Sequence, residues 1–162
     1  MKNETVFVTG AAGVIGKQVV KVLADSGLKI IAIDRKKNPF GSEYKNLSYV
    51  QMDLNDLSVK EFEAINPNIY VHLAASFERT TERQAFYGEN FQDNTRLSSA
   101  LLFKAVQQKK IKHLIFASSY LVYDEKLYKK KLGAKVKLDE NSILCPRNLT
   151  GAAKLFHENE MN

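Results

Sequence analysis

Three glycines stand at three-residue spacing in the stretch VFVTGAAGVIGKQVV, residues 6–20, between two apolar runs. They are Gly10, Gly13 and Gly16. Because glycine has no Cβ, it tolerates positive φ and lets another backbone or an anion approach closely. Between a buried strand and a helix, such a turn would point bare N–H groups and the positive helix end at a phosphate. The spacing therefore predicts either a phosphate cradle or an ordinary glycine-rich strand–turn–helix corner.

An acidic residue stands where a dinucleotide cradle would need one. Asp34 closes the apolar run KIIAID, 18 residues after Gly16. The dinucleotide fingerprint asks for a carboxylate about 20 residues on, at the end of the second strand, to accept from ribose hydroxyls. The alternative is an aspartate that merely ends a strand. The carboxylate would repel a 2′-phosphate and so favour a dinucleotide without one. The next three residues, Arg35, Lys36 and Lys37, weaken this preference, because a cation can hold such a phosphate.

Composition limits the other classes of chemistry. The 162 residues, of which 44% are hydrophobic and 26% charged, fit one domain spanning 1–162 with a real core. The single Cys145 excludes an internal disulfide, and His72, His113 and His157 lack metal-ligand spacing, so no metal site is expected. No apolar run reaches the ~18 residues of a membrane span, and no signal-peptide pattern is present. We expect a cytoplasmic protein without membrane attachment.

The net charge of +6 comes from one lysine-rich segment, KLYKKKLGAKVK, at residues 126–137. Without its six lysines, the rest of the chain carries as many basic as acidic residues. A nucleic-acid face would spread over one surface and include aromatic residues placed for stacking. We interpret the segment as a solvated excursion and expect no nucleic-acid partner.

Short apolar runs alternate with helical patterns along the chain. The predicted strands are 5–9, 29–33, 47–52, 69–73 and 113–117. The predicted helices are 14–25, 56–65, 83–109 and a last one from near Asn148 through KLFHENE. The first helix should present one apolar face, formed by Ile15, Val19, Val22 and Leu23, and stop at Gly27. This order predicts an α/β, doubly wound parallel sheet of about five strands, buried on both faces by helices.

In this setting TGAAGVIG resembles the TGxxGxxG signature of the extended short-chain dehydrogenases/reductases, the NAD-dependent epimerase/dehydratase family. The resemblance extends along nearly the whole chain through Asp53-Leu54, the segment His72–Ala75 (HLAA), Asn94 seven residues before Leu101-Leu102, and Ser118, Ser119 and Tyr123. It implies a Rossmann-type fold and covers the cofactor-binding half of such an enzyme.

The resemblance implies NAD as cofactor, with NADP left open by the cations after Asp34. It places the backbone of HLAA along the cofactor's phosphates and Asp53 beside the adenine. Other readings remain: Asp53 could cap the helix of 56–65, His72 could be a satisfied buried histidine, and Asn94 a polar residue inside a helix. The implied cofactor-binding residues are Gly10, Ala12, Gly13, Val14, Ile15, Gly16, Asp34, Arg35, Asp53, Leu54, Leu73, Ala74, Ala75, Asn94 and Lys154.

The catalytic pattern of the family is incomplete in this chain. The family uses a serine at the end of the fifth strand and a Tyr-x-x-x-Lys pair on the next helix. Ser119 and Lys154 match the serine and the lysine, but Thr150 stands where the tyrosine is expected. A threonine alcohol is far less acidic and much shorter than a phenol. Tyr120 lies nearby, yet we do not expect it to take over the proton transfer.

The resemblance implies an epimerase/dehydratase-type oxidoreductase that acts on a nucleotide sugar. The alternative is a cofactor-binding sensor or scaffold without turnover, which Thr150 favours. Family members continue into a C-terminal lobe that supplies most substrate contacts. We expect that lobe to be lacking, so that this chain alone would not turn over nucleotide sugars. A homodimer through the 83–109 and 148–160 helices is a further expectation.

Overall fold

Five parallel strands form the sheet in this computed structural model, which describes residues 4–77, 84–128 and 137–162. The strands are β1 (Thr5–Thr9), β2 (Lys29–Asp34), β3 (Leu47–Gln51), β4 (Ile69–His72) and β5 (His113–Phe116). Their order is β3-β2-β1-β4-β5, and each neighbouring pair is parallel. The order reverses between β1 and β4, which is the switch point of a Rossmann-type sheet. The predicted α/β fold is confirmed.

Helices follow the strands in the predicted sequence order. They are α1 (Val14–Asp25), α2 (Val59–Ile65), α3 (Gln84–Glu89), a π-helical stretch (Asn90–Leu97), α4 (Ser98–Gln107), α5 (Glu125–Tyr128) and α6 (Leu149–Met161). Two 3₁₀ turns occupy Leu54–Asp56 and Tyr120–Val122. The lysine-rich segment falls mostly outside the described residues, so its solvated excursion stays a prediction.

The chain divides into two compact units. The first consists of the described residues within 1–75 and of 100–117, and it contains the sheet and α1. The second consists of the described residues within 76–99 and 118–162, and it contains the π-helical stretch and α6. Residues predicted to bind the dinucleotide lie mainly in the first unit, and those predicted for catalysis lie in the second.

Alternate residues of β1 are buried on opposite faces of the sheet, one face packing against aliphatic and the other against aromatic side chains. Val6 and Val8 join an aliphatic cluster with residues of β2 and α1. Phe7 points the other way and stacks on Tyr70 at 5.3 Å, with Phe62 of α2 edge-on. Burial on both faces holds for β1 but not for the two edge strands, β3 and β5, in which every residue is either exposed or half-buried. A strand at the edge of the described sheet has fewer neighbours to cover it.

The predicted apolar face of α1 is correct for two of its four residues and wrong for the other two. Gly16, Val20 and Ala24 are the buried residues, whereas Ile15 and Val22 are largely exposed. Val19 and Leu23, also predicted, do pack against the aliphatic cluster. Val20 and Ala24 belong to the aliphatic cluster, and Gly16 lies against the backbone of Gly10 and Ala11, so these contacts set the rotation of the helix.

Two other helical segments also differ from prediction. Instead of one helix over 56–65, the 3₁₀ turn comes first and α2 starts after Ser58, which forms a capping box with Glu61. The predicted 83–109 helix contains the eight-residue π-helical stretch. Within that stretch the carbonyl of Asp93 accepts from the Ser98 hydroxyl and that of Asn94 from the His157 ring, so side chains take up backbone acceptors of the wider helix.

Candidate functional site

The three glycines of the motif at residues 10–16 have different structural roles. Gly10 has φ +68°, and a Cβ there would lie 2.7 Å from the amide nitrogen of Ala74. A Cβ on Gly16 would lie 2.2 Å from the carbonyl oxygen of Gly10, so the turn itself, more than the strand, requires this glycine. A Cβ on Gly13 would contact only that same oxygen, at 3.1 Å. Gly13 is therefore the glycine whose missing side chain leaves open space beside the turn.

Helix α1 begins with unsatisfied donors. Its N-cap is Gly13, no side chain caps it, and its first turn carries no acidic residue. The first N–H groups of any helix lack carbonyl partners inside the helix, and the helix dipole makes this end positive. Val14 and Ile15 in this turn are 77% and 63% exposed. A bound anion could accept from these N–H groups, and apolar parts of the same ligand could cover Val14 and Ile15.

Asp34 is fastened to the glycine turn. One carboxylate oxygen accepts the N–H of Ala12 at 2.9 Å, and the other accepts the N–H of Lys36 at 3.0 Å. The N–H of Ala11 reaches the carbonyl of Ile33 at the end of the same strand. Each carboxylate oxygen has a second lone pair that can accept from a hydroxyl. The arrangement can hold a ribose beside the cradle.

The end of β4 borders the turn from the other side. His72 is fully buried, and its Nδ1 lies 2.8 Å from both the Thr9 hydroxyl and the Tyr70 hydroxyl. The prediction of a satisfied buried histidine is confirmed. The N–H of Leu73 donates to the carbonyl of Thr9, which carries the chain past Gly10. Ala74 and Ala75 follow and are at least partly exposed.

Asp53 has a local structural partner. Its carboxylate accepts the N–H and the side-chain amide of Asn55, both at 2.9 Å, and so caps the 3₁₀ turn of Leu54–Asp56. The alternative role as a cap is thus present, but for this turn and not for α2. Leu54 is buried. A contact of Asp53 with adenine stays a prediction.

In the second unit, Asn94 clamps one stretch of backbone. Its side-chain oxygen accepts the N–H of Ser76 at 2.7 Å, and its amide donates to the carbonyl of Ser76 at 2.7 Å and to Asn90 at 2.8 Å. Asn94 is buried, and it lies inside the π-helical stretch. Its amide is therefore occupied with holding the segment that follows HLAA.

The residues matched to the catalytic positions sit around the start of α6. Asn148 caps the helix by accepting the N–H of Gly151, and a Cβ on Gly151 would lie 2.5 Å from the carbonyl oxygen of Leu121. This close approach packs α6 on the 3₁₀ turn that Ser119 caps through the N–H of Leu121. The structure brings the turn after Ser119 against the helix that carries Thr150.

Thr150 and Lys154 are one helical turn apart, on the same face of α6. Both are only 6% exposed. Burial lowers the pKa of the Lys154 ammonium to about 8. Tyr120, the neighbouring phenol, is mostly exposed and packs edge-on against Tyr128. Proton donors at this site would therefore be a buried alcohol, a buried amine or an exposed phenol.

We expect Lys154→Met to change the pH dependence of stability. Below pH ~8 both folded and unfolded parent carry the Lys154 proton, so the cost of the buried charge is fully present. Between pH ~8 and ~10.5 only the unfolded state keeps it, so stability of the parent should rise relative to the variant, by about 3 kcal/mol in total. Denaturant unfolding at several pH values measures this. The exposed Lys21→Met is the control, and a pH-independent difference would contradict the prediction.

Sequence reasoning missed the structural role of His157. This residue is almost fully buried on α6, with Nδ1 2.6 Å from a carboxylate oxygen of Glu160 and Nε2 bonded to the carbonyl of Asn94. Both ring nitrogens lie beside oxygen acceptors, and the Nε2 contact joins α6 to the π-helical stretch. The i, i+3 spacing of His157 and Glu160 was the available signal, but the second acceptor comes from a distant segment.

Neither a cluster of candidate metal ligands nor a membrane-spanning helix is present within the described residues. No group of three or more His, Cys, Asp or Glu side chains is placed to hold a metal ion there. In the same part of the chain no helix is both long and apolar enough to cross a membrane.

The chain is similar in sequence to two dehydrogenase- and epimerase-type proteins and in fold to a solved structure with bound NAD. The chain is 29% identical to UDP-glucose 4-epimerase GEPI48 of Cyamopsis tetragonoloba, an alignment that covers 98% of this chain and 46% of the relative. It is 30% identical over 120 residues to the 3 beta-hydroxysteroid dehydrogenase/Delta 5→4-isomerase of Monkeypox virus, covering 69% of this chain and 33% of that protein. The solved structure of MoeE5 in complex with UDP-glucose and NAD is 30% identical with a TM-score of 0.75, covering 96% of this chain and 47% of MoeE5.

The chain thus spans about half the length of the first of these relatives. The family model described as NAD dependent epimerase/dehydratase matches residues 6–160, nearly the whole sequence. The predicted family, with NAD as the family's cofactor, is confirmed. The glycine turn, the carboxylate fastened to it and the switch point of the sheet therefore belong to a member of the NAD dependent epimerase/dehydratase family.

Proposed function

We propose that this chain is the NAD-binding part of a nucleotide-sugar epimerase/dehydratase-type oxidoreductase. One observation carries the proposal: α1 begins directly after Gly10 and Gly13 with no side-chain cap, and Asp34 is hydrogen-bonded to that same turn. The turn lies at the β1/β4 switch point, where α/β sheets bind ligands. Titration of NAD into the 162-residue chain, followed by calorimetry, tests it directly.

The residues present fit a dinucleotide. The N–H groups of the first turn of α1 would receive the pyrophosphate, and the open space at Gly13 would admit it. Asp34 would accept from the adenine ribose, and exposed Ile15 would be covered. When bound, NAD supplies two-electron redox chemistry. Asp53, Asn94 and Lys154 remain proposed contacts, and the structure gives the first two local partners as well.

For the reaction itself, the chain offers Ser119 to hold a reacting oxygen and Lys154 to supply positive charge. An ammonium with a pKa near 8 is still mainly charged at neutral pH and can stabilise a developing anion nearby. A nucleotide sugar as substrate is supported by what the relatives' names state. The similarity to a steroid dehydrogenase over 69% of this chain means that this half alone leaves the substrate open.

A second candidate function, a dinucleotide-binding module without turnover, is favoured by Thr150. This residue stands at the position of the family's proton-transferring tyrosine, and its side chain is buried. A short, buried alcohol neither ionises near neutral pH nor reaches a substrate. NAD binding without product formation from any of a panel of nucleotide sugars would favour this candidate.

We expect Asp34→Ala to reduce the preference for NAD over NADP. Removal of the carboxylate loses two charge-assisted hydrogen bonds to ribose, so the NAD affinity should fall about 100-fold. The NADP affinity should hold or rise, because repulsion of its 2′-phosphate disappears while Arg35 and Lys36 stay. Calorimetry with both dinucleotides measures the ratio. A parent that prefers NADP would show that the cations dominate.

A homodimer through the predicted 83–109 and 148–160 helices is also part of the proposal. In the second unit these helices expose Tyr87, Phe91 and Phe156. Exposed aromatic side chains are enriched at protein–protein interfaces. Analytical ultracentrifugation over a concentration series tests this. A cytoplasmic location is likewise proposed, since the exposed Cys145 is free.

A further inference from the structure

The backbone that follows Asp34 is tied down by side chains of the neighbouring strand. The Tyr49 hydroxyl donates to the carbonyl of Lys36 at 2.7 Å, and the side-chain amide of Gln51 donates to the carbonyl of Arg35 at 3.3 Å. The N–H of Lys36 turns back to the Asp34 carboxylate at 3.0 Å. Residues 35 and 36 are exposed, yet their backbone makes these three hydrogen bonds with side chains.

The Tyr49 hydroxyl is positioned as a hydrogen-bond donor by the strand and by the packing of its ring. In the parallel register of β2 and β3, Tyr49 lies opposite Ala32, and Gln51 lies opposite Asp34. The Tyr49 ring packs near the ring of buried Phe40, with centroids 6.1 Å apart. Burial, and then the negative charge of Asp34, raise the pKa of Tyr49 to about 12. The phenol therefore keeps its proton at neutral pH and can donate it to the carbonyl of Lys36.

Residues 34–37 carry charges with opposite preferences for the dinucleotide. Asp34 favours ribose hydroxyls and repels a 2′-phosphate, whereas Arg35, Lys36 and Lys37 attract that phosphate. The backbone conformation at 35 and 36 decides which of these groups faces the ribose. With both carbonyls drawn toward β3, the N–H of Lys36 stays on the carboxylate and orients it.

We propose that Tyr49, assisted by Gln51, is a positioning residue for dinucleotide selectivity: it holds the Arg35–Lys36 backbone so that the Asp34 carboxylate, and not the adjoining cations, meets the adenine ribose. The inference rests on the proposed NAD-binding function. It adds a determinant that lies on β3, outside the glycine turn and outside the acidic position itself.

The test is Tyr49→Phe, with Tyr44→Phe as the matched control, because the Tyr44 hydroxyl interacts with Glu43 and not with residues 35–37. We expect the preference for NAD over NADP to fall about fivefold in Tyr49→Phe, the worth of one ordinary hydrogen bond, and to be unchanged in the control. In the Asp34→Ala background, Tyr49→Phe should no longer change the ratio. Gln51→Ala, at an exposed side chain, should shift the ratio in the same direction by less.

A second measurement needs no dinucleotide. Amide hydrogen exchange of Lys36, followed by NMR on the 162-residue chain, should become about fivefold faster in Tyr49→Phe and stay as in the parent for Tyr44→Phe. Equal losses of NAD and NADP affinity, an unchanged ratio, or an unchanged exchange rate would overturn the inference while leaving NAD binding intact. A parent that binds neither dinucleotide would overturn the proposed function and, with it, the selectivity role.

Discussion

Replacing Gly13 by valine is expected to abolish NAD binding in a protein that still folds. Gly13 has φ −68° and ψ 172°, a conformation that β-branched residues adopt, and a Cβ there meets only the carbonyl oxygen of Gly10, at 3.1 Å. The new side chain would instead occupy the space through which a pyrophosphate approaches the N–H groups of α1. Loss of even two charge-assisted hydrogen bonds costs about 3 kcal/mol, or roughly 100-fold in Kd.

Two other glycines serve as controls for this result. Gly16→Ala should destabilise the fold strongly, because its Cβ would lie 2.2 Å from the Gly10 carbonyl oxygen. Gly88→Ala should leave NAD affinity unchanged and raise stability slightly, since the helical Gly88 has open space around it. Calorimetric titration and thermal unfolding separate the two effects. A folded Gly13→Val protein with the parent's Kd would remove the glycine turn from the binding site.

The sheet was predictable because its signals are local. The strands β1, β2 and β4 coincide with the apolar runs to within a residue, and the glycine turn fixes where α1 begins. The rotation of α1 was not predictable in this way. The sequence around Ile15 and Val22 is apolar, but the buried side of α1 is that of Gly16, which lies against the glycine turn, and Val20, which joins the aliphatic cluster. Packing distance, which a hydrophobic pattern does not encode, overrode periodicity.

The site shows the same division between local and distant information. Asp34 could be found by counting from the glycines, because the fingerprint fixes both the residue type and its distance. Tyr49 and His157 could not be found, because each acts on backbone carbonyls, of Lys36 and Asn94, that any residue would present. The sequence carries no mark of such acceptors. The π-helical stretch was missed for a related reason, since no residue type specifies it.

The second large effect is expected from Thr150→Tyr, measured in the full-length product of the gene that encodes these residues. Position 150 shares a helical face with buried Lys154, and Ser119 caps the turn that packs against the same helix. A free phenol has a pKa near 10, and a nearby ammonium lowers it toward neutrality, where a general base works best. Turnover of the proposed nucleotide-sugar substrates should therefore rise about 10²-fold or more, the usual contribution of a general base.

The matched control is Thr150→Phe, which adds the same ring without the ionisable hydroxyl. Either ring must fit where a threonine is buried, at a cost of about 1–3 kcal/mol, so thermal unfolding of both variants accompanies the assay. NAD reduction by absorbance and product analysis on nucleotide sugars give the rates. Equal activity of the tyrosine and phenylalanine variants would show that the hydroxyl transfers no proton. Turnover by the parent near ~1 s⁻¹ or above would mean that another group already does so, and loss of that turnover in Tyr120→Phe would identify the exposed phenol beside Ser119 as that group.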